Sequence, residues 1–448
     1  MKLVNNKSLL CQLSLVIGLA SGGAVLADDF SRLGTDLTPW GAPKAGNAEG
    51  TIPAWDGGIT TPPAGFDPKN GYISPFPEEQ PLYTITAANY EAYESQLTEG
   101  QIALLKRYSD YKMNVYPSHR THALPQSQYD AITQEGPGVR LTEDGNGFTG
   151  TTKSTVPFPF PSVGVEVYHN LLVRYRGGSY SRRIASFPVQ SGGRFTASIW
   201  QEDNLFGVHM DNPPENLMYT ALYNYMAPSS IAGGLTLVRE PIDKSAGVRG
   251  AWVYNPGTRR VLRAPEVGND TPATGTDGLL TQDSFDGLNG SPERFDWKLV
   301  GKREMIIPYN NFKMTDKSLK YTDIVGKQTV NQDLVRYELH RVYVLEGTLK
   351  SGARHIYSKR IALVDEDSFQ AAHVDSYDGR GELWRTQEIF TSYFYDCPCT
   401  WLAGDVSYDL QAGRYFLSGL TNEEPPVVFG QSYRPGFFEP ASLRRMGR

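Results

Sequence analysis

Cysteine is nearly absent. The 448 residues hold three, and Cys11 falls inside the apolar stretch near the N-terminus. A chain this long buries its own core, so a disulfide scaffold is excluded as the basis of the fold. Histidine is scarce too, with seven scattered copies. His119 and His122 in "SHRTHALP" lie close in sequence, but their loop is proline-flanked and lacks nearby carboxylates. They read as a surface pair, and no metal site is expected. There is no basic excess: 43 Lys and Arg face 49 Asp and Glu, for a net charge of −6. That argues against a nucleic-acid binder, which needs a basic surface.

After the N-terminal stretch no apolar run is long enough for a membrane-spanning helix. G-x-S-x-G, H-E-x-x-H, Walker and dinucleotide-binding motifs are all missing. "TEDGNGFTG" lacks the alternating acidic ligands of a calcium loop, and "VDEDSF" reads as a solvated strand end. Active sites need an identifiable nucleophile, acid–base pair or metal. The sequence therefore points away from an enzyme, and no cofactor is expected. A carboxylate pair for hydrolysis is the minor alternative left by the many Asp and Glu residues.

What is present begins with an export signal. Lys2 and Lys7 precede the apolar Leu9 to Leu19, Gly22-Gly23 break it, and Val25-Leu26-Ala27 suit a signal peptidase. Residues 1–27 read as a signal peptide cut before Asp28. The chain is expected in the periplasm, soluble or peripherally associated with the outer membrane. The two remaining cysteines, Cys397 and Cys399, flank Pro398 in "DCPCTW". In an extended chain their Cα atoms would lie about 6.6 Å apart, near the upper limit for a disulfide, and a turn at Pro398 would shorten this. An oxidising compartment favours a Cys397–Cys399 bridge; a redox-active or metal-binding pair is the sharper alternative.

Residues 28–82 are rich in Gly and Pro, with Trp40, Trp55, Phe66, Tyr72 and Phe76 as apolar anchors. They read as an irregular segment laid over a domain. "TAANYEAYESQLTEGQIALLKRYSDY" then predicts one amphipathic helix capped by Thr86. Together, residues 28–150 form an N-terminal elaboration with that helix. "GVEVYHNLLVRYRGG" predicts a second helix and "PPENLMYTALYNYMAP" a third, ended by Pro228.

From about residue 180 the pattern turns to strands. In "RFDWKLVGKREMII", Phe295, Trp297, Leu299, Met305 and Ile307 share one parity, while Asp296, Lys298, Lys302 and Glu304 share the other. One buried and one wet face mark an antiparallel sheet. "LVRYELHRVYVLEGTL" and "RHIYSKRIALVDED" predict a hairpin, and "FQAAHVDSYDGRGELWRTQEIF" two more strands. The expected fold is α+β, mainly β. It comprises one large curved antiparallel sheet with helices packed on its concave side, in a β-rich domain spanning 151–448.

Four blocks carry a family resemblance: "GVEVYHNLLVRYRG", "AWVYNPGTRRVLRAPEVGND", "FDGLNGSPERFDWKLVGKREM" and "LQAGRYFLSGLTNEE". Together they resemble a proteobacterial family of unknown function, often described as outer membrane lipoprotein-sorting proteins, over essentially the whole exported chain. The middle block also resembles the wider LolA/LolB-like group. That resemblance implies a half-open β-barrel closed by helices, with an apolar cavity for acyl chains. Two features depart from the pattern: the chain is more than twice the size of a LolA-like domain, and it lacks the lipidated cysteine of LolB-type members.

The resemblance implies a non-catalytic carrier or chaperone for a hydrophobic, lipid-like molecule. The competing reading is an adaptor serving an outer-membrane protein and an RND-type transporter, beside which family members are commonly encoded. Candidate cavity walls are Trp252, Tyr254, Phe295, Trp297, Leu299 and Tyr343; the bland alternative is that they simply fill the core. One or more of Arg259, Arg260 and Arg263 would sit at the mouth, where a guanidinium holds an anionic headgroup bidentately. Otherwise they are ordinary surface charge.

Overall fold

One sixteen-stranded sheet carries the chain in this computed structural model, which describes residues 29–210, 212–264 and 268–447. The expected signal peptide lies outside the described residues. The N-terminal part supplies β1 (Tyr83–Ile85) and β2 (Met113–Val115), plus a separate small hairpin of β3 (Arg140–Leu141) and β4 (Phe148–Thr149). One half of the sheet follows as β5 (Ser179–Val189), β6 (Ser198–Phe206), β7 (Leu217–Ala227), β8 (Leu235–Pro241), β9 (Gly250–Asn255) and β10 (Arg260–Arg263). The other half is β11 (Phe295–Pro308), β12 (Tyr337–Leu349), β13 (Lys359–Asp365), β14 (Ala371–Tyr377), β15 (Leu383–Phe394), β16 (Cys399–Asp409) and β17 (Arg414–Leu420). A short β18 (Val428–Phe429) pairs with β5.

Within each half, successive strands are neighbours, and β17 pairs with β5 to join the two. The ladder is antiparallel except where Tyr337 of β12 meets Val115 of β2. The strand path ends at β1 and at β10 without closing.

The helices are α1 (Glu99–Arg107), α2 (Gln126–Glu135), α3 (Gly164–Val173), a single turn α4 (Tyr321–Ile324) and α5 (Pro440–Met446). The long helix expected from Thr86 is broken. A 3-10 segment covers Tyr90–Gln96, and α1 starts afresh at Thr98. Thr98 is extended, and its hydroxyl accepts from Gln101 N while Gln101 Oε1 accepts from Thr98 N. This reciprocal cap is stronger than anything Thr86 offers. The second expected helix stands as α3. The third does not: its residues form β7, and α2 carried no signal that sequence periodicity picked out.

The reason β7 misled is that both faces of the sheet are covered along its first half. Tyr219 and Ala221 enter one core while Leu222 enters another, so the strand lacks the polar face that betrays period two. The same holds at β15, where Ile389 joins Trp40, Tyr168 and Trp297 beneath α3. Its neighbour Phe390 joins Leu104, Leu105 and Tyr408 against α1. Helices therefore lie on both faces of the sheet, not on one.

On β11 the register against β12 slips between Leu299 and Gly301, where Gly301 takes φ +145°. Such a bulge flips every later side chain. Phe295 and Trp297 face the α3 core, but Met305 and Ile307 join Tyr309, Val342 and Val344 on the other side. The single parity read from the sequence is corrected at that residue.

Candidate functional site

Alternate residues of β6 to β9 on the α3 side enclose a cavity. β6 contributes Trp200, β7 contributes Tyr219, Tyr223 and Tyr225, β8 contributes Val238, and β9 contributes Val253. Residues 282–289 cross above and add Phe285 and Asn289. The enclosed volume is about 480 Å³, within the roughly 300–1,000 Å³ of small-molecule sites. Strand tyrosines make this wall because an aromatic side chain fills the pleat at little entropic cost.

Arg249, one residue before β9, is the charged group lining this cavity. Its Nε is ion-paired with Glu240, which also holds Lys244. Burial alone would raise the Glu240 carboxyl, but Arg249 and Lys244 outweigh it and hold it below the usual range. Burial likewise opposes the Arg249 charge, and Glu240 again outweighs it. Two cations thus share one carboxylate, which leaves one positive charge over. Arg249 Nη2 is buried with no hydrogen-bond partner, a state that typically costs about 1–3 kcal/mol until an acceptor arrives.

A smaller chamber of about 90 Å³ adjoins it and shares Trp200, Tyr219, Tyr223 and Phe285. Its lining holds three arginines and three carboxylates, and Arg176 Nε is buried there without a hydrogen-bond partner. Arg174 and Arg176 pair with Asp286. Arg182 Nη2 lies 2.8 Å from Glu202 Oε2, and the Tyr180 hydroxyl donates to Glu202 Oε1 at 2.7 Å. Asp405 faces the same space, and burial pushes its carboxyl up to about 7.

The candidate residues read from the sequence are divided between the core beneath α3 and an open cleft where Trp252 and Arg263 meet. Phe295, Trp297 and Tyr343 are buried beneath α3, with Leu299 packed against the same core. Trp297 stacks obliquely on Tyr168 at 4.9 Å. Tyr254 reaches the edge of the aromatic cavity, yet its ring packs with Leu222, Leu237 and Phe438 on the other face and its hydroxyl donates to Gly447 O at 2.8 Å. Trp252 lies on that face too, beneath the Arg239 guanidinium at 5.5 Å.

Arg259, Arg260 and Arg263 are exposed. Arg259 sits in the turn between β9 and β10 at φ +53°, and Arg260 and Arg263 bracket the edge strand. Arg263 borders an open cleft with Trp252 and Tyr433, separate from the aromatic cavity. Sequence reading missed Tyr219, Tyr223 and Tyr225 because β7 was read as a helix. It missed Arg249 because a lone arginine in "SAGVRGAW" belongs to no motif.

Cys397 and Cys399 are buried free thiols with Sγ atoms 3.2 Å apart. The bridge expected from the sequence is not formed in this structure, since bonded sulfurs lie near 2.05 Å. Burial, reinforced by Cys399, pushes the Cys397 thiol up.

A family model described as a protein of unknown function, DUF1329, matches residues 84–444. The chain belongs to this family. Within reach of the DUF1329 match is an uncharacterized protein of Pseudomonas aeruginosa, PA3922. It is 45% identical over 430 residues that cover 95% of this chain and 94% of that protein. Solved structures are more distant. A domain from Vibrio parahaemolyticus whose name refers to outer membrane lipoprotein sorting shares 15% identity at TM-score 0.45, covering 63% of this chain and 98% of its own. A DUF1329 protein from Desulfovibrio piger shares 14% at 0.42, covering 60% and 92%. A LolA superfamily protein from Nitrosomonas europaea shares 13% at 0.38, covering 62% and 98%. The family read from the four sequence blocks is thus the family found. No helix among the described residues is long and apolar enough to cross a membrane.

Proposed function

We propose that this DUF1329 protein is a non-catalytic periplasmic carrier that holds a hydrophobic, lipid-like ligand with an acidic group. The observation that carries the reading is the pairing of an aromatic cavity of about 480 Å³ with one surplus, partly unsatisfied guanidinium, Arg249. Apolar burial would supply most of the affinity, at roughly 25 cal/mol per Å². The guanidinium would select for an anionic acceptor.

The adaptor reading, with an outer-membrane protein and an RND-type transporter as partners, draws on a different surface. Val248 is 76% and Leu262 60% exposed near the free edge of the sheet at β10.

Native mass spectrometry of protein purified from periplasm separates the two. A bound mass that extracts into organic solvent and identifies as an acidic amphiphile supports the carrier. An empty protein that fails to bind an apolar fluorophore, yet co-purifies with membrane components, overturns it.

Export through the 1–27 signal also predicts the state of the cysteines. Protein denatured and alkylated without reductant is expected to show no labelled Cys397 or Cys399. Two labelled thiols would contradict an oxidised pair. The replacement of both by serine is expected to leave ligand binding intact and stability little changed, because so short a loop barely constrains the unfolded chain.

A further inference from the structure

A buried cluster at the β12–β13 end of the sheet has no part in the ligand cavity. His340 of β12, Asp365 at the end of β13 and Asp367 just beyond it are 1%, 1% and 2% exposed. One nitrogen of the histidine and one oxygen of each aspartate lie within 4.8 Å of one another.

Around this cluster the other carboxylates each have a cation of their own. Arg120 grips both oxygens of Asp367 at 2.7 and 2.8 Å. Glu366 takes Arg341 at 2.5 Å and Lys302 at 3.0 Å. Glu338 takes Arg336 at 2.5 Å. Asp365 is the exception. Its Oδ2 accepts from the backbone N and hydroxyl of Ser368, at 3.0 and 2.6 Å, and from the Tyr309 hydroxyl at 3.3 Å. Its Oδ1 is buried with no partner at all.

The histidine belongs to the same cluster. Its Nε2 lies 2.9 Å from Glu338 Oε2. An ionised carboxylate only accepts, so Nε2 carries a proton and Nδ1 is the nitrogen left to ligate. Tyr309 stacks on the ring at 3.9 Å and fixes its plane. Buried acceptors left without a donor or cation are costly.

We infer that His340, Asp365 and Asp367 bind one divalent transition-metal ion, with Glu338 orienting the imidazole. A carboxylate on the far nitrogen of a ligating histidine is the usual outer-shell arrangement. One imidazole and two carboxylates suit zinc or manganese better than calcium, which takes oxygen ligands alone. The role assigned is structural. Arg120, which grips Asp367, also donates to Pro43 O at 2.9 Å and Lys44 O at 3.1 Å. An ion there would pin the N-terminal segment to the sheet, independently of what fills the ligand cavity.

The test uses full-length exported protein without a metal-chelating tag, stripped by chelator and then titrated separately with zinc and with manganese. Elemental analysis is expected to find one ion per chain, and the melting temperature to rise by several degrees on metal addition. Asp365→Asn keeps the shape and should fold; it is expected to lose the ion and the metal-dependent shift in melting temperature. His340→Gln gives an independent check with the same expectation. The proposal is overturned if the stripped parent takes up neither metal at micromolar concentration. It is equally overturned if both variants bind as the parent does, which would move the ion to some other group.

Discussion

Trp297→Ala is expected to destabilise the protein by about 3–5 kcal/mol, the usual range for removing a large buried aromatic, while the folded fraction binds ligand as the parent does. Trp297 is 9% exposed and packs on Tyr168 at 4.9 Å and Phe295 at 5.6 Å. Two glycines are shaped around it. A Cβ at Gly347 would come within 2.6 Å of its ring, and one at Gly164 within 2.6 Å of its carbonyl oxygen. Neighbours held that closely do not collapse into a vacated space, so a cavity would remain.

The indole Nε1 has no partner, which trims the loss slightly because the alanine variant buries one fewer unsatisfied donor. Urea unfolding gives the stability, and titration with an apolar probe well below the unfolding midpoint gives the affinity. A fall in affinity with no shift in midpoint would mean that Trp297 walls the ligand site after all.

That separation between core and cavity shows what the sequence could carry. Period-two patterns need one wet face, and β11 has one up to Leu299; there the reading of Phe295 and Trp297 as inward-facing holds. At Gly301 the bulge reverses the alternation, and no residue type marks a bulge uniquely, since Gly301 also suits a plain strand end. The α3 helix was legible from its continuous apolar run, although it ends at Val173, four residues before the Gly177-Gly178 pair expected to stop it.

β7 was not legible because its first half is covered on both sides and shows no polar parity, while Tyr219 and Tyr223 fit a helical i,i+4 spacing as well. The cavity follows from β7, so it was hidden with it. The buried His340–Asp365–Asp367 group was hidden for another reason. Its residues are 25 or more positions apart in part, and "VDEDSF" taken alone looks like a solvated strand end. Only the β12–β13 register, in which Val342 faces Asp365, carries the acidic run up to the histidine.

Arg249→Met is expected to weaken binding of a long-chain fatty acid at least tenfold and to change binding of the matching fatty alcohol less than twofold. Methionine keeps much of the side chain's apolar length, so the aromatic wall loses little contact. What disappears is a charge-assisted hydrogen bond, typically about 1.5–3 kcal/mol, which corresponds to roughly ten- to over a hundredfold in affinity. The substitution leaves Glu240 with Lys244 as its remaining cation, so some loss of stability should accompany it. For that reason affinity must be read as the ratio between acid and alcohol on the same protein.

Arg249→Lys keeps the charge but not the fork, and it should fall between parent and methionine variant. Replacing Arg259, Arg260 and Arg263 together by alanine is expected to leave the ratio unchanged. All three are exposed, and none lines the aromatic cavity. If instead the triple variant loses acid selectivity and Arg249→Met keeps it, the headgroup lies at the edge of the sheet and the cavity proposed for the ligand is the wrong one. If acid and alcohol weaken together in Arg249→Met, the arginine is a structural partner of Glu240 and the ligand need carry no charge.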